Sequence, residues 1–436
     1  MKLPACVRVG ILQDMKAPKN RKVYVVGYGA ATPLGATFSK SWARAVKGEA
    51  GFRKVTRCEV RTLSDVVGEI PDWDPLALDF VDEKEIYNWN AAFVILTMAV
   101  CQEALRHAGL SMDQKTAPRT ACLVGSAING ADAFRVAMTR LEQKGPRHVS
   151  PYLLPNLCAN IPSGKAGILL GFTGPVFSPQ GACASGNHAI GLASRMIRDG
   201  DCDFALAGGV DMPLLPEIIL GFANMNATVK VSSRDRAWQD HSLASRPFSI
   251  DRKGFVLSEG AGVVVLAAEE MLADYGLKPR AEVLGVGWTS DAWHFTEPNP
   301  ETIIRTIREA IDDAGLRVED IQYVNAHGTS TPKGDKVEVE CLKAVFGTRL
   351  KNVPISANKS QLGHTLGAAA AIDAALTIEG MQTGILLPTI NYLPDPELED
   401  LDFVPNEARR QQVEITLSNA FGFGGTNCCL IFRGVN

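Results

Sequence analysis

Cys183 stands among small residues in Ser178-Pro179-Gln180-Gly181-Ala182-Cys183-Ala184-Ser185-Gly186-Asn187-His188, at the expected start of a helix. An apolar strand-like segment, Gly174 to Phe177, leads in, and a run with helical spacing, Ala184 to Ile197, leads out. At a helix N-terminus the macrodipole and unpaired N–H groups favour thiolate over thiol, and small neighbours leave room for a substrate carbonyl. A buried structural cysteine would show the same local sequence. Two histidines weigh against that alternative. His327 follows a buried strand in Asn325-Ala326-His327-Gly328-Thr329-Ser330-Thr331-Pro332, and His364 precedes an alanine-rich helix in Lys359-Ser360-Gln361-Leu362-Gly363-His364-Thr365. Singly, each reads as a core histidine; with Cys183 they compose a cysteine nucleophile and two imidazoles.

Short buried strands alternate with helices through most of the chain, which predicts an α/β architecture with covered sheets. Strands are expected at 23–27, 120–125, 203–209, 262–267, 321–325 and 353–356, and helices at 91–108, 300–315, 334–346 and 366–380. A first helix should include Trp42, and a glycine-rich hairpin should run from 415 to 433. The stretch up to Pro247 after the 203–209 strand reads as loop-rich. Gly27-Tyr28-Gly29 imitates a dinucleotide fingerprint, but Thr32 occupies its third glycine position and no suitable acid follows, so a nucleotide is excluded.

A chain of 436 residues, 46% hydrophobic and 21% charged, is long enough for two core-forming halves. Their junction is expected where the text turns polar around 270–280, giving halves at 22–270 and 271–436 behind an arm at 1–21. The arm matches no secretory pattern, and Met15 is an alternative start to Met1. A net charge of −4 gives no reason to expect nucleic acid or a membrane surface as partner. No apolar run approaches the roughly 18 residues of a membrane span. Ten scattered cysteines without a C-x-x-C pair argue for a reducing, cytoplasmic setting and against zinc.

Together with Ser245-Arg246-Pro247-Phe248, Glu259-Gly260-Ala261-Gly262, Asp402-Phe403-Val404-Pro405 and Phe421-Gly422-Phe423-Gly424-Gly425-Thr426-Asn427, these stretches make the chain resemble the β-ketoacyl-acyl carrier protein synthases, in particular the elongating type II enzymes. The resemblance implies a thiolase-like fold, a duplicated five-layered αβαβα arrangement, working as a homodimer or with a related chain. It implies decarboxylative Claisen condensation of malonyl-carrier with an acyl chain held on Cys183. His327 and His364 would bind the malonyl thioester, Lys359 would order the histidine network, and the N–H groups of Cys183 and Phe423 would hold the oxyanion. Phe423 would also gate the thiol, Thr329 and Thr331 would bond the pantetheine arm, and Ile128 and Phe222 would line the acyl pocket. No cofactor of the chain's own is implied, because phosphopantetheine travels on the acyl carrier protein. The rival readings are a non-catalytic chain-length-factor subunit, which Cys183 and both histidines disfavour, and a thiolase, to which Cys428 and Cys429 point only superficially.

Several positions depart from the pattern. Asp373 replaces a glutamate near a structural cation, Ser249 and Lys253 replace acids, Ser258 replaces a glycine, and the loop Lys230 to Leu243 is longer than usual. For carrier docking, Arg147 is kept, but His148, Asn226 and the pair Tyr87-Asn88 stand where basic residues are usual. Compensation by Lys230, Arg234 and Arg236 is one outcome. A dedicated carrier with a less acidic face, and hence a specialised pathway, is the expectation preferred here.

Overall fold

Val23 to Ala31 is an unbroken run of β-branched, aromatic and small residues, and it forms a strand buried along almost its whole length. Such two-sided burial requires layers on both faces. The computed structural model describes residues 21–88, 91–398 and 401–435, with the side chains of Glu85, Tyr87 and Asn88 outside the description. Its main sheet contains β1 (Val23–Ala31), β2 (Thr120–Gly125), β3 (Val176–Phe177), β4 (Phe204–Asp211), β5 (Gly260–Ala268), β6 (Ala281–Ser290), β7 (Tyr323–Asn325), β8 (Ile355–Ser356), β9 (Ile415–Gly422) and β10 (Thr426–Gly434). The order is β3-β2-β4-β5-β1-β6-β10-β9-β7-β8.

At the centre, β1 and β6 pair only through Tyr24 with Glu282 and Val25 with Ala281. Outward from that seam both halves run in the same order: first, fifth, fourth, second and third strand of the half. Directions match too, since β2 with β3 and β7 with β8 are parallel, while the innermost pairs are antiparallel. The sheet is therefore a duplicated unit.

The helices that matter for the site are α1 (Phe38–Val46), α2 (Ala92–Ala108), α3 (Ala131–Lys144), α4 (Ile161–Leu170), α5 (Ser185–Asp199), α6 (Pro216–Asn224), α7 (Pro300–Asp313), α8 (Pro332–Phe346) and α9 (Ala369–Thr383). α5 and α9 pack between the halves and touch strands of both. Helices α2 and α4 cover the outer face of one half, and α7 and α8 that of the other, which makes five layers. α9 can occupy the middle because it is apolar all round: nearly every residue from Ala369 to Met381 is buried. α5 approaches it backbone to backbone at Gly186, where a Cβ would stand 2.5 Å from the Ala371 nitrogen.

Four of these elements lie outside the predicted ones. α3 and α4 fall between predicted strands, and α6 falls inside the stretch read as loop-rich. α4 carries Pro162, Gly164 and Gly167, weak helix formers that tertiary packing overrides. β6 begins directly after the polar 270–280 stretch and is held by pairing with β10 and β1.

Candidate active site

The segment leading into α5 is a tight turn rather than regular helix. Ala182–Ala184 is a 3-10 turn, and Ala182 sits in the left-handed region at φ 47°. The turn lifts Cys183 to the end of α5 while its sequence neighbours pack inward. The far half of the molecule holds it in place: Thr426 Oγ1 donates to Gly181 O at 2.8 Å, and a Cβ on Gly422 would lie 3.2 Å from Cys183 N. Burial pushes the Cys183 thiol up to about 12, the Phe423 backbone N–H and the charge of Lys359 act downward, and Asp211 acts upward. The helix end pulls towards the thiolate, and burial of the sulfur pulls the other way. Desolvation outweighs the helix end.

His364 Nε2 stands 3.1 Å from Cys183 Sγ. The His327 ring is edge-on to His364 with centroids 5.5 Å apart, and Phe255 packs edge-on to His364 from another side at 5.2 Å. Both imidazoles are held well below the usual histidine range, first by burial and then by Lys359, with His364 adding to the effect on His327. They are neutral, each with an N–H to offer. Lys359 Nζ lies 2.7 Å from Asp373 Oδ2, and Asn358 Nδ2 donates to Asp373 Oδ1 at 3.1 Å. Lys359 is thus both an ion-pair partner and a cation that adds to the effect of burial on the imidazoles.

A cavity of about 630 Å³ joins these groups. Its lining includes Cys183, His327, His364, Ile128, Phe222, Phe423, Thr329 and Thr331. The two threonine hydroxyls are 3.0 Å apart. Phe423 is half-buried, with ring centroids 6.4 Å from both Phe222 and Phe295, so it stands between the apolar pocket and the exposed aromatic at the mouth. Every site residue predicted at the thiol, the imidazoles, the pocket and the pantetheine channel is therefore brought to one cavity. Arg147 is not part of it: it is exposed on the turn Pro146–His148. The side chains of Tyr87 and Asn88 lie outside the described residues.

Two family models match the chain, the N-terminal domain of β-ketoacyl synthases over residues 20–271 and the C-terminal domain over 280–393. The chain belongs to the β-ketoacyl synthase family. Curated relatives in the family include the 3-oxoacyl-[acyl-carrier-protein] synthase 2 of Staphylococcus aureus (strain COL), 38% identical over 95% of this chain and 99% of the relative. The protein of that name in Coxiella burnetii is 36% identical over 96% of this chain and 99% of its own. Among solved structures, a β-ketoacyl synthase from Burkholderia phymatum STM815 superposes with TM-score 0.86 at 31% identity, covering 95% of this chain and all (100%) of that one. The ishigamide ketosynthase/chain length factor gives TM-score 0.86 at 30% identity over 96% and 100%. The fold is the thiolase-like, five-layered one of these ketosynthases.

Within this β-ketoacyl synthase scaffold, three buried carboxylates escaped the sequence reading. Glu338 of α8 accepts from the N–H groups of His327 and Gly328, each at 2.8 Å, and from Asn419 Nδ2 at 3.0 Å, so it sets the turn that carries His327. Asp335 accepts from Phe248 N at 2.8 Å and Ser330 N at 3.0 Å, and burial pushes it up to about 7. Asp211, at the end of β4, is the third. Asp211 stands in an apolar run, whereas Asp335 and Glu338 stand among lysines and glutamates, where nothing local marks them as buried.

The departures also find partners. Lys253 Nζ and the Arg246 guanidinium both bond the carboxylate of Asp235, at 2.8 and 2.7 Å, which fastens the long loop into the core. Ser249 Oγ donates to Asp251 at 2.6 Å, and Ser258 fills a niche bounded by Gly68 and Gly363. Arg236 is committed to Asp251 at 2.9 Å, so it is not a free docking cation. Beside Asp373, where the resemblance places a structural cation, both carboxylate oxygens are already taken by Asn358 and Lys359. Asp373 is the counter-ion of Lys359. Asn325 Oδ1 and Ser418 Oγ, paired in register across β7 and β9, are buried without a side-chain partner.

Proposed function

We propose that this chain is a β-ketoacyl-acyl carrier protein synthase. The observation that carries the reading is the 3.1 Å approach of His364 Nε2 to Cys183 Sγ, with His327 beside it, in a cavity also lined by Ile128, Phe222, Thr329 and Thr331. In the first half-reaction Cys183 sulfur attacks the acyl thioester, its proton passes to the departing pantetheine thiol, and the acyl chain lies against Ile128 and Phe222. The N–H groups of Cys183 and Phe423 face the oxyanion. Malonyl-carrier then loses carbon dioxide, and the electron pair collects on its thioester oxygen, where the two imidazole N–H donors stabilise it. The enolate carbon bonds to the acyl carbon, and the Cys183 sulfur leaves. Thr329 and Thr331 hold the pantetheine, which belongs to the carrier, so the chain needs no prosthetic group of its own.

Incubation with acyl carrier, followed by intact mass and peptide mapping, tests this. Acyl mass on Cys183, discharged by malonyl-carrier into a product longer by two carbons, is the expected result; label elsewhere, or none, overturns it. The chain-length-factor reading would predict no label.

Partner and pathway belong to the same proposal. A solved relative at TM-score 0.85 and 26% identity is described as a type II PKS acyl-carrier protein in complex with its ketosynthase. Here Arg147 and His148 are exposed, whereas Asn226 is engaged by Lys230 Nζ at 2.5 Å. This thin basic surface supports a dedicated, less acidic carrier, a specialised fatty acid or polyketide pathway and a cytoplasmic setting. The exposed apolar residues Phe134, Met138 and Leu141 of α3, Ile168 of α4 and Phe177 of edge strand β3 support pairing with a second copy or a related chain.

A further inference from the structure

Asp211 takes no part in the bond-making steps, yet it is wholly buried against the turns that carry Ile128 and Gly367. It ends β4, where the strand has two glycines before it. Its carboxylate accepts from Ser126 Oγ at 2.6 Å, from Ala127 N at 2.9 Å and from Ile128 N at 2.9 Å, all in the turn after β2. It also accepts from Gly367 N at 2.7 Å, in the turn that follows His364. Ser126 Oγ in turn accepts from Asn129 N at 2.9 Å, extending the same web to the residue beyond Ile128.

We infer that Asp211 is a positioning residue that holds the acyl-pocket wall at Ile128 and the histidine-bearing turn in one register, and so helps set both chain-length selection and enolate stabilisation. This rests on the function proposed above.

Three features support it. The donors come from the two halves of the molecule, and a single carboxylate spans them. The packing leaves no slack: a Cβ on Gly367 would stand 2.8 Å from Asp211 Oδ2 and 2.8 Å from Ala127 N, and one on Gly209 would stand 2.1 Å from Gly367 O. Finally, a buried carboxylate held by N–H groups and a hydroxyl is expensive to desolvate, as its shift up to about 6 by burial shows, so a lone structural bond would be better served by a neutral group. Its charge also reaches the thiol, raising Cys183. The other groups acting on Cys183 are the Phe423 N–H and Lys359, with His364 in contact.

Asp211→Asn keeps the shape but turns an NH2 towards N–H donors, so one of the two turns must shift. The expected result is a decarboxylation rate lower by about tenfold or more, the scale of a sub-ångström misplacement, with a changed product-length distribution. Because a negative charge near Cys183 disappears, the pH profile of Cys183 alkylation should move to lower pH, which loss of packing alone would not cause. Ser126→Ala removes the hydroxyl's bonds to Asp211 and from Asn129 N and leaves the carboxylate in place: product lengths should shift in the same sense by less, and the alkylation profile should move less than in Asp211→Asn. Wild-type product lengths and decarboxylation in both variants, whatever their melting temperatures, overturn the proposal. Should Asp211→Asn fail to fold, wild-type product lengths in Ser126→Ala suffice to overturn it. If the wild-type chain elongates no acyl carrier, the proposed function fails, and an unmoved alkylation profile in a folded Asp211→Asn variant then counts separately against the placement of Asp211.

Discussion

The two halves of the molecule contain the same turn twice. After β3 the chain enters α5 through Ala182–Ala184 with Ala182 at φ 47°, and after β8 it enters α9 through Leu366–Ala368 with Leu366 at φ 50°. In the first turn the central residue is Cys183; in the second it is Gly367, whose N–H is spent on Asp211. Two residues before the turn the first half has Gln180 and the second His364. Likewise, two residues after the second strand of each half stand Ala127 and His327. One backbone frame thus supplies a nucleophile and pocket wall on one side and two imidazoles on the other. The frame sets where groups can stand, and the residues at three matched positions decide what each half does.

The most disruptive way to test this division is to empty the first turn. Cys183→Ala should abolish condensation while leaving malonyl decarboxylation, because the second half retains its imidazoles; condensation at a near wild-type rate would end the nucleophile assignment. Next in size, His327→Ala and His364→Ala should each lower decarboxylation by about a hundredfold or more, the scale of losing one oxyanion donor, and much less the acylation of Cys183. The double variant should be little worse than the worse single one. If either change blocked only acyl loading, that histidine would move to the other side of the comparison as a base for Cys183.

Lys359→Met should then destabilise the fold by about 3–5 kcal/mol, because it leaves Asp373 buried and unpaired; chemical denaturation measures this. The same change should alter the pH profile. With Lys359 in place the imidazoles bind protons only well below their ordinary range, so decarboxylation should be flat through pH 6.5. Without it their protonation moves upward and the acid limb rises towards neutrality. A wild-type inflection near 6.5 would contradict neutral donors. The smallest effect expected is Ile128→Phe, which adds a ring to the packed wall of the first half and should shorten the longest chain accepted without lowering the rate for short ones.

Much of the site was legible because its residues stand out locally. A cysteine among small residues at a helix start, and two histidines in polar, glycine-containing stretches beside apolar strands, announce chemistry without coordinates. Strands β1, β2, β4 and β5 were readable because burial on both faces leaves continuous apolar runs, and α9 because only a buried helix can be so rich in alanine. The helix α6 was not read because its amphipathic run, with Ile219 and Ala223 buried and Glu217, Gly221 and Asn224 exposed, is short and lies in a stretch that reads as loop-rich.

What the sequence determined by itself was the set of candidate reacting groups, the alternation of strands and helices, and the family. These depend on residue type and near-neighbour spacing. Only the tertiary structure decided the state of the thiol, because desolvation depends on what packs around Cys183 from both halves. It also decided that Asp373 serves Lys359, that Arg236 is committed to Asp251, and that Asp211, Asp335 and Glu338 clamp the turns, since their partners arrive from segments distant in the chain. Electrostatics and hydrogen bonding act through space, and no local pattern encodes which distant donor will meet a buried acid.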